Sequence, residues 1–310
     1  MAKVLITGGA GFIGSNLAHA LVKDNEITIV DDLSMGKKEN IADIDVNFYE
    51  HDVCDSVFMH RLLDEGNFDY IYYLAAVSSV ADSVVRPIET HRVNEESVLD
   101  TLEYIRVNKL PIKRFLFTSS AAVYGNLHDF PKSEISHVQP LTPYAVDKYA
   151  SERFTIDYGN LYKLPTVAVR FFNVYGPRQN PESPYSGVLS IITDCMKNNK
   201  PFTLYGDGSQ TRDFVYVDDV VDALIKITTD TNQSTVYNIA DGKETALIDV
   251  IHTYEDISGI KLHINHKSNR SGDISKSKAD ISKLKSIGFE PRWSLKEGLQ
   301  NYWRYYSKKK

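Results

Sequence analysis

Short apolar, β-rich runs alternate with stretches of helical period through the first half of the chain. Lys3 to Thr7 is the first run, followed by a glycine turn and a helical pattern through Ile13, Leu17, Ala20 and Leu21. Further runs lie at Glu26 to Val30, Val46 to Tyr49, Tyr70 to Leu74, Arg114 to Thr118 and Thr166 to Phe171. Helical patterns fall between them, at Ser56 to Leu63, Pro87 to Val107 and from Pro143 onward. Repeated alternation of this kind predicts an α/β fold with a doubly wound parallel sheet.

The pattern changes after Phe172. Gly176-Pro177-Arg178-Gln179-Asn180-Pro181-Glu182-Ser183-Pro184 is a polar, proline-rich loop. Beyond it the runs are shorter and mixed. They predict a helix at Gly187 to Met196, strands at Phe202 to Tyr205 and Phe214 to Val217, and a helix at Asp219 to Ile227. Strands at Val236 to Ile239 and Lys261 to Ile264, with helices near Leu247, Lys283 and Leu295, complete the region. The expected organisation is a larger domain over 1–173 and a smaller mixed α/β domain over 174–310, with the chain free to cross back.

The turn after the first strand is Gly8-Gly9-Ala10-Gly11-Phe12-Ile13-Gly14. Gly8 permits a tight turn, Gly11 lets backbone amides approach a pyrophosphate, and Gly14 lets helix pack closely on strand. The second strand leads into Asp31-Asp32, about 20 residues on, where a carboxylate accepts from adenosine ribose hydroxyls and repels a 2′-phosphate. NAD is therefore favoured over NADP. Asp52, after the third strand, suits an adenine amino group or an ordinary turn. Ala75 and Ala76 are small either because a cofactor crosses the strand ends there or because the packing is tight.

Two later stretches add candidate chemistry. The fifth run delivers Ser119-Ser120-Ala121-Ala122-Val123-Tyr124-Gly125 at its carboxyl end, the edge where open α/β sheets place ligands. Next, Thr142 and Pro143 fit the N-cap and first position of a helix, and Tyr144 and Lys148 share one face of it. A phenol titrates near 10, and a base working near neutrality needs that value lowered by roughly 3, or about 4 kcal/mol. The helix dipole contributes less than about 2 kcal/mol. A cation within about 4–6 Å supplies most of the rest, so Lys148 is needed and a second cation would help. The same spacing recurs at Tyr305/Lys309 and Tyr306/Lys310, in a solvated lysine tail.

Composition narrows the function classes. A net charge of −6 argues against non-specific nucleic-acid or anionic-membrane binding, both of which require a basic surface. Cys54 and Cys195 are too few for a disulfide framework and lie in no metal-ligand spacing. No stretch reaches the roughly 18 apolar residues of a membrane span, and the first strand leaves no room for a signal peptide. A cytoplasmic protein is expected. Arg212 and Arg270 sit in polar turns, where each could clamp phosphate bidentately or face solvent.

With the glycine turn, Ser120, Tyr144 and Lys148 in place, the chain resembles the extended short-chain dehydrogenase/reductase family, and within it the UDP-hexose 4-epimerases. The resemblance runs from about Lys3 to Gly298. Ser119 to Gly125, Arg170-Phe171-Phe172-Asn173-Val174-Tyr175-Gly176 and Gly206 to Asp213 carry it toward the epimerase branch. It implies a Rossmann-type domain with a smaller substrate-binding domain. Phe12 and Ile13 of the glycine turn and Leu74 at the strand end would join the NAD-binding set, with Asp31 and Asp32 at the ribose and Asp52 with Val53 at the adenine. Lys148 would hold the nicotinamide ribose, Tyr144 would be the base, and Ser120 would assist proton transfer. Asn173, Arg212, Arg270 and Asp273 match positions that bind the UDP part of the substrate, and Ser277 matches a position facing the sugar. Glucose-type epimerases often carry a lysine at the position of Ser78; branches acting on N-acetylated sugars tend to lack it.

The resemblance implies NAD-dependent inversion at C4 of a UDP-hexose through a 4-keto sugar, in a homodimer packed through helices near Val93 to Val107 and Tyr144 to Tyr158. UDP-N-acetylglucosamine/UDP-N-acetylgalactosamine is the expected pair, with UDP-glucose/UDP-galactose beside it. The alternatives are a UDP-glucuronate 4-epimerase or another enzyme that oxidises C4 of a nucleotide sugar. Related dehydratases and decarboxylases need an acidic residue before Val123-Tyr124-Gly125, where this chain has Ala121 and Ala122. A non-catalytic NAD-sensing module is the alternative from another class.

Overall fold

The computed structural model describes residues 1–180, 187–268 and 275–308. Strands β1 (Lys3–Thr7), β2 (Glu26–Asp31), β3 (Asn47–Glu50), β4 (Tyr70–Tyr73), β5 (Arg114–Ser120) and β6 (Thr166–Phe171) follow the predicted runs. Between them lie helices α1 (Phe12–Leu21), α2 (Ser56–Gly66), α3 (Val80–Val85), α4 (Pro87–His91), α5 (Ser97–Asn108) and α6 (Pro143–Tyr162). The later elements are β7 (Asn173–Tyr175), α7 (Val188–Lys197), β8 (Phe202–Tyr205), β9 (Thr211–Arg212), β10 (Phe214–Tyr216), α8 (Val217–Asp230), β11 (Val236–Ile239), β12 (Thr245–Ala246), α9 (Leu247–Ser258), β13 (Ile264–Lys267), α10 (Ser282–Ser286) and α11 (Leu295–Lys308). No helix among the described residues is long and apolar enough to cross a membrane.

A seven-stranded sheet runs β11-β6-β5-β4-β1-β2-β3. Its pairs β1–β2, β2–β3, β1–β4, β4–β5 and β5–β6 are all parallel, as the alternation predicts. Strand order reverses between β1 and β4, so the glycine turn after β1 and the Leu74–Ala76 stretch after β4 meet at the point where such sheets bind ligands. One face of the sheet, through Leu5, Ile71, Phe115 and Phe117, packs on Phe58 and Leu62 of α2 and Val98, Leu102 and Ile105 of α5. Each large side chain buried in this way contributes roughly 1.5–3 kcal/mol.

The chain forms two compact units. One comprises Met1–Leu127, His137–Phe171 and Val221–Tyr237; the other comprises His128–Ser136, Phe172–Val220 and Asn238–Lys310. The chain therefore passes from one unit to the other at several places besides the Phe171/Phe172 junction, which a reading of composition along the chain does not register.

Three elements depart from the sequence pattern. The continuous helix expected over Pro87 to Val107 contains a π turn at Arg92–Glu96 between α4 and α5. The strand expected at Lys261 to Ile264 lies instead at Ile264–Lys267. There the Leu262 amide is taken by Glu255 at 2.9 Å, and pairing with β8 begins only at Phe202↔Ile264. Lastly, α6 buries a polar face of Tyr144, Asp147, Lys148, Ser151, Glu152 and Thr155, which no apolar period would reveal.

Candidate active site

Thr142 and Pro143 start α6 as expected. Thr142 extends before the first turn and its hydroxyl accepts from the Ala145 amide at 3.3 Å, while the Tyr144 amide donates to Ser83 Oγ at 3.1 Å. That fixes the first turn of α6 against α3, and so fixes where the phenol can point. Ser120 ends β5, accepts from the Ala122 amide at 3.2 Å, and makes a side-chain hydrogen bond to Tyr144. Lys148, one turn further along α6, donates from Nζ to the Thr118 carbonyl at 2.9 Å and lies 4.9 Å from the centre of the Phe117 ring. The three side chains named from the sequence thus converge where β5 meets α6.

Their electrostatics differ from the expectation. Burial pushes the Tyr144 phenol above its ordinary value, and the Ser120 hydrogen bond opposes it. Burial also holds Lys148 down to about 7, with the Asp147 charge opposing. A buried ammonium that gives up its proton easily does little to stabilise a phenolate. Further positive charge is required before this pair becomes a base.

The residues expected to hold a dinucleotide form a tight cradle. Gly8 has φ +70°, and a Cβ there would come within 2.8 Å of the Ala75 amide nitrogen. A Cβ at Gly14 would strike the Gly8 carbonyl at 2.3 Å, so α1 starts directly on the turn. Gly11 caps α1 without a side-chain hydrogen bond, and the first turn of the helix, including Phe12 and Ile13, holds no acidic residue. Those first-turn amides are suited to an anion. The buried Asp31 carboxylate accepts from the Ala10 amide and the Leu33 amide, both at 2.9 Å, and burial raises its pKa. It stands at the rim of the cradle with acceptor capacity to spare. Asp32 accepts from the Ser34 amide and hydroxyl, and Asp52 from the Cys54 amide at 2.9 Å, so each also shapes a turn. Val53 is buried in the apolar core. Leu74 and Ala75 donate their amides to Thr7 Oγ1, each at 3.2 Å, which places Ala75 and Ala76 beside the glycine turn.

Sequence reasoning missed Asn94. It lies fully buried inside the π turn, accepts from the Val77 amide at 2.8 Å and donates to the Val77 carbonyl at 3.1 Å, while its own carbonyl accepts from Ser151 of α6. A mid-helix asparagine was the only signal available, and its meaning depends on a π turn that periodicity does not show.

In the second unit Asn173 starts β7, which pairs with β10, and Arg212 ends β9, which pairs with β12. The Asn173 amide donates to the Asp213 carbonyl at 3.1 Å, and Phe214 pairs with Asn173 in register. Asp213 itself is fully buried. Its carboxylate accepts from the amides of Asp241 at 2.9 Å, Gly242 at 3.1 Å and Ala279 at 3.0 Å. The Thr211 amide donates to the Ser275 carbonyl at 2.9 Å. Asp213 was not singled out from the sequence, yet it draws Asn173, Arg212 and the half-buried Ser277 into one neighbourhood. Arg270 and Asp273 lie outside the described residues.

The sequence profile of the NAD dependent epimerase/dehydratase family matches residues 4–240. The chain belongs to this family. Like its relatives it is an NAD-dependent enzyme, and the glycine cradle with its uncapped helix start and Asp31 fits a dinucleotide. The enzyme is 34% identical over 299 residues to a putative UDP-glucose 4-epimerase of Methanocaldococcus jannaschii, covering 96% of each chain. In structure it is similar to the UDP-glucose 4-epimerase of Thermotoga maritima, solved with UDP-glucose, at a TM-score of 0.92 and 36% identity over 98% of each chain. It is similar also to the UDP-N-acetylglucosamine 4-epimerase of Methanobrevibacter ruminantium, in complex with UDP-N-acetylmuramic acid, at a TM-score of 0.92 and 35% identity over 98% of each chain.

Proposed function

We propose that this NAD-dependent UDP-sugar 4-epimerase interconverts UDP-N-acetylglucosamine and UDP-N-acetylgalactosamine, with the unacetylated hexoses as secondary substrates. Ser277 carries the reading. It is small and half-buried, and it sits between Ser275, which bonds the Arg212 strand through Thr211, and Ala279, which bonds Asp213. A serine leaves room for the acetamido group at C2 that a phenol would exclude.

In the reaction so assigned, Arg212 and Asn173 hold the UDP part, together with Arg270 and Asp273. Gly8, Gly11 and Gly14 admit the cofactor diphosphate, and Asp31 accepts from its adenosine ribose. Bound NAD supplies the hydride acceptor for C4 and a positive charge. Tyr144 takes the proton from the sugar 4-hydroxyl as C4 is oxidised, and Ser120, hydrogen-bonded to the phenol, shares that proton. Lys148, when it holds its proton, stabilises the phenolate together with that positive charge. The 4-keto sugar turns while its nucleotide stays anchored, and Tyr144 returns the proton when C4 is reduced from the other face. Binding energy spent on the nucleotide leaves the sugar free to rotate.

Ser277→Tyr tests the substrate. Forcing an acetamido group against a phenol in a packed pocket costs roughly 1–3 kcal/mol, or about 5- to 150-fold in kcat/KM. The acetylated reaction should fall by that factor while the UDP-glucose reaction changes little. Equal treatment of both sugars by the variant would remove Ser277 from the site.

The assembly proposed with this function is a homodimer packed through α5 and α6. Val107 on α5 and Phe154, Leu161 and Tyr162 on α6 are exposed apolar side chains on those two helices, a surface that pairing would cover. Sedimentation at micromolar concentration should give twice the chain mass; a monomer would contradict the assembly.

A further inference from the structure

Asp147 lies between Tyr144 and Lys148 on α6, turned toward α4. Its side chain is buried, Oδ1 is 2.8 Å from His91 Nδ1, and Oδ2 is buried with no hydrogen-bond partner. A buried carboxylate satisfied on one side only is costly. The next residue is Lys148, whose ammonium is wholly buried and, among the described residues, meets a neutral carbonyl and an aromatic face. The half-compensated charge of Asp147 opposes its loss of a proton.

His91, on the other side, reaches solvent. Its Nε2 lies 3.3 Å from Glu95 Oε2, and the groove onto which it opens, 530 Å³ in volume, is lined by Pro87, Ile88, Leu141 and Val146 with Thr142 and Asp147 as its other polar groups. The charged groups around the imidazole are Asp147 of α6 and Glu95 and Glu96 of its own helical segment. The hydrogen bond to Asp147, above all, raises the His91 pKa. Burial raises that of Glu95, and the His91 charge opposes it.

We propose that Asp147, held by His91, is an electrostatic positioning residue for Lys148: its carboxylate keeps the buried ammonium protonated, and the solvent-facing imidazole sets how much of that charge Lys148 experiences. The proposal rests on the reading of Tyr144 and Lys148 as the proton-handling pair. In that reading the working form of the pair carries one proton, on Lys148 rather than on Tyr144. Removing the Asp147 charge moves that proton toward the phenol and lowers both apparent pKa values of the pair. A protonated His91 acts in the opposite sense, because it offsets Asp147.

The test uses the NAD-loaded enzyme and its Asp147→Asn, Asp147→Glu and His91→Gln variants. Two quantities are followed against pH: kcat, and the tyrosinate absorbance that disappears in Tyr144→Phe. Asp147→Asn should lower the plateau of kcat about tenfold and move both limbs of the profile down by about one pH unit, the lower end of the effect of a nearby charge. Asp147→Glu should restore the wild-type limbs. His91→Gln should move the acidic limb up, since it removes the positive charge that offsets Asp147, and should move the basic limb less. A loss of kcat with unmoved limbs and unmoved tyrosinate titration in Asp147→Asn would overturn the proposal, as would acidic limbs shifting in the same direction in Asp147→Asn and His91→Gln. If Asp147→Asn does not fold, the His91→Gln limb decides alone. Normal turnover in Tyr144→Phe would instead remove the catalytic reading beneath the proposal, a separate outcome.

Discussion

Replacing Tyr144 with Phe is expected to lower turnover about 10²- to 10⁴-fold, the usual contribution of a positioned general base, while folding and NAD content persist. The ring stays buried at the start of α6, the Tyr144 amide keeps its bond to Ser83, and Ser120 keeps its bond from the Ala122 amide. Only the hydroxyl is lost. Burial raises the phenol pKa and the Ser120 hydrogen bond lowers it, so Ser120→Ala should raise it further. A base is active when deprotonated; the acidic limb of kcat/KM in Ser120→Ala should therefore move to higher pH. Near-normal turnover in Tyr144→Phe, or an acidic limb in Ser120→Ala that stays put or moves down, would show that proton transfer goes through another group.

The second large effect is on stability. Arg170 of β6 and Glu152 of α6 form a fully buried, two-pronged ion pair, with Nε–Oε2 at 2.8 Å and Nη2–Oε1 at 2.5 Å, and the guanidinium lies 4.7 Å from the centre of the Tyr124 ring. The pair clamps α6 to the sheet one turn beyond Lys148. Arg170→Leu would leave the Glu152 carboxylate buried and unpaired, and should lower unfolding stability in urea by about 3–5 kcal/mol. Replacing both residues by apolar ones of similar volume removes the stranded charge, and the double variant should recover most of that loss. A single variant as stable as the wild type would mean that water reaches Glu152 and that the clamp contributes nothing. The acid and the base of this pair come from separate elements, which is why the sequence alone did not pair Arg170 with Glu152.

Local pattern carried most of the fold. Apolar runs and helical periods located β1 to β6 because each element's signature lies within its own residues, and parallel pairing follows from strand–helix alternation. The same locality made the glycine turn legible, since Gly11 and Gly14 answer to contacts made within one strand–turn–helix unit, whereas the space at Gly8 is closed by Ala75 after β4. Tyr144, Lys148 and the cap at Thr142 were legible as well, because helical geometry puts residues four apart on one face. Longer-range matters were decided by the tertiary structure. Asn94 acquires its role only through a π turn and a partner 17 residues away, and Asp213 through amides 28, 29 and 66 residues on. The polar buried face of α6 carries no apolar period, and Lys148, Asp147, Ser151 and Glu152 find their partners on β5, α4, the π turn and β6. The electrostatic state of Tyr144 and Lys148 also lay beyond the sequence: spacing brings a phenol and an ammonium to one face, but burial, set by everything packed around them, determines which of the two holds the proton.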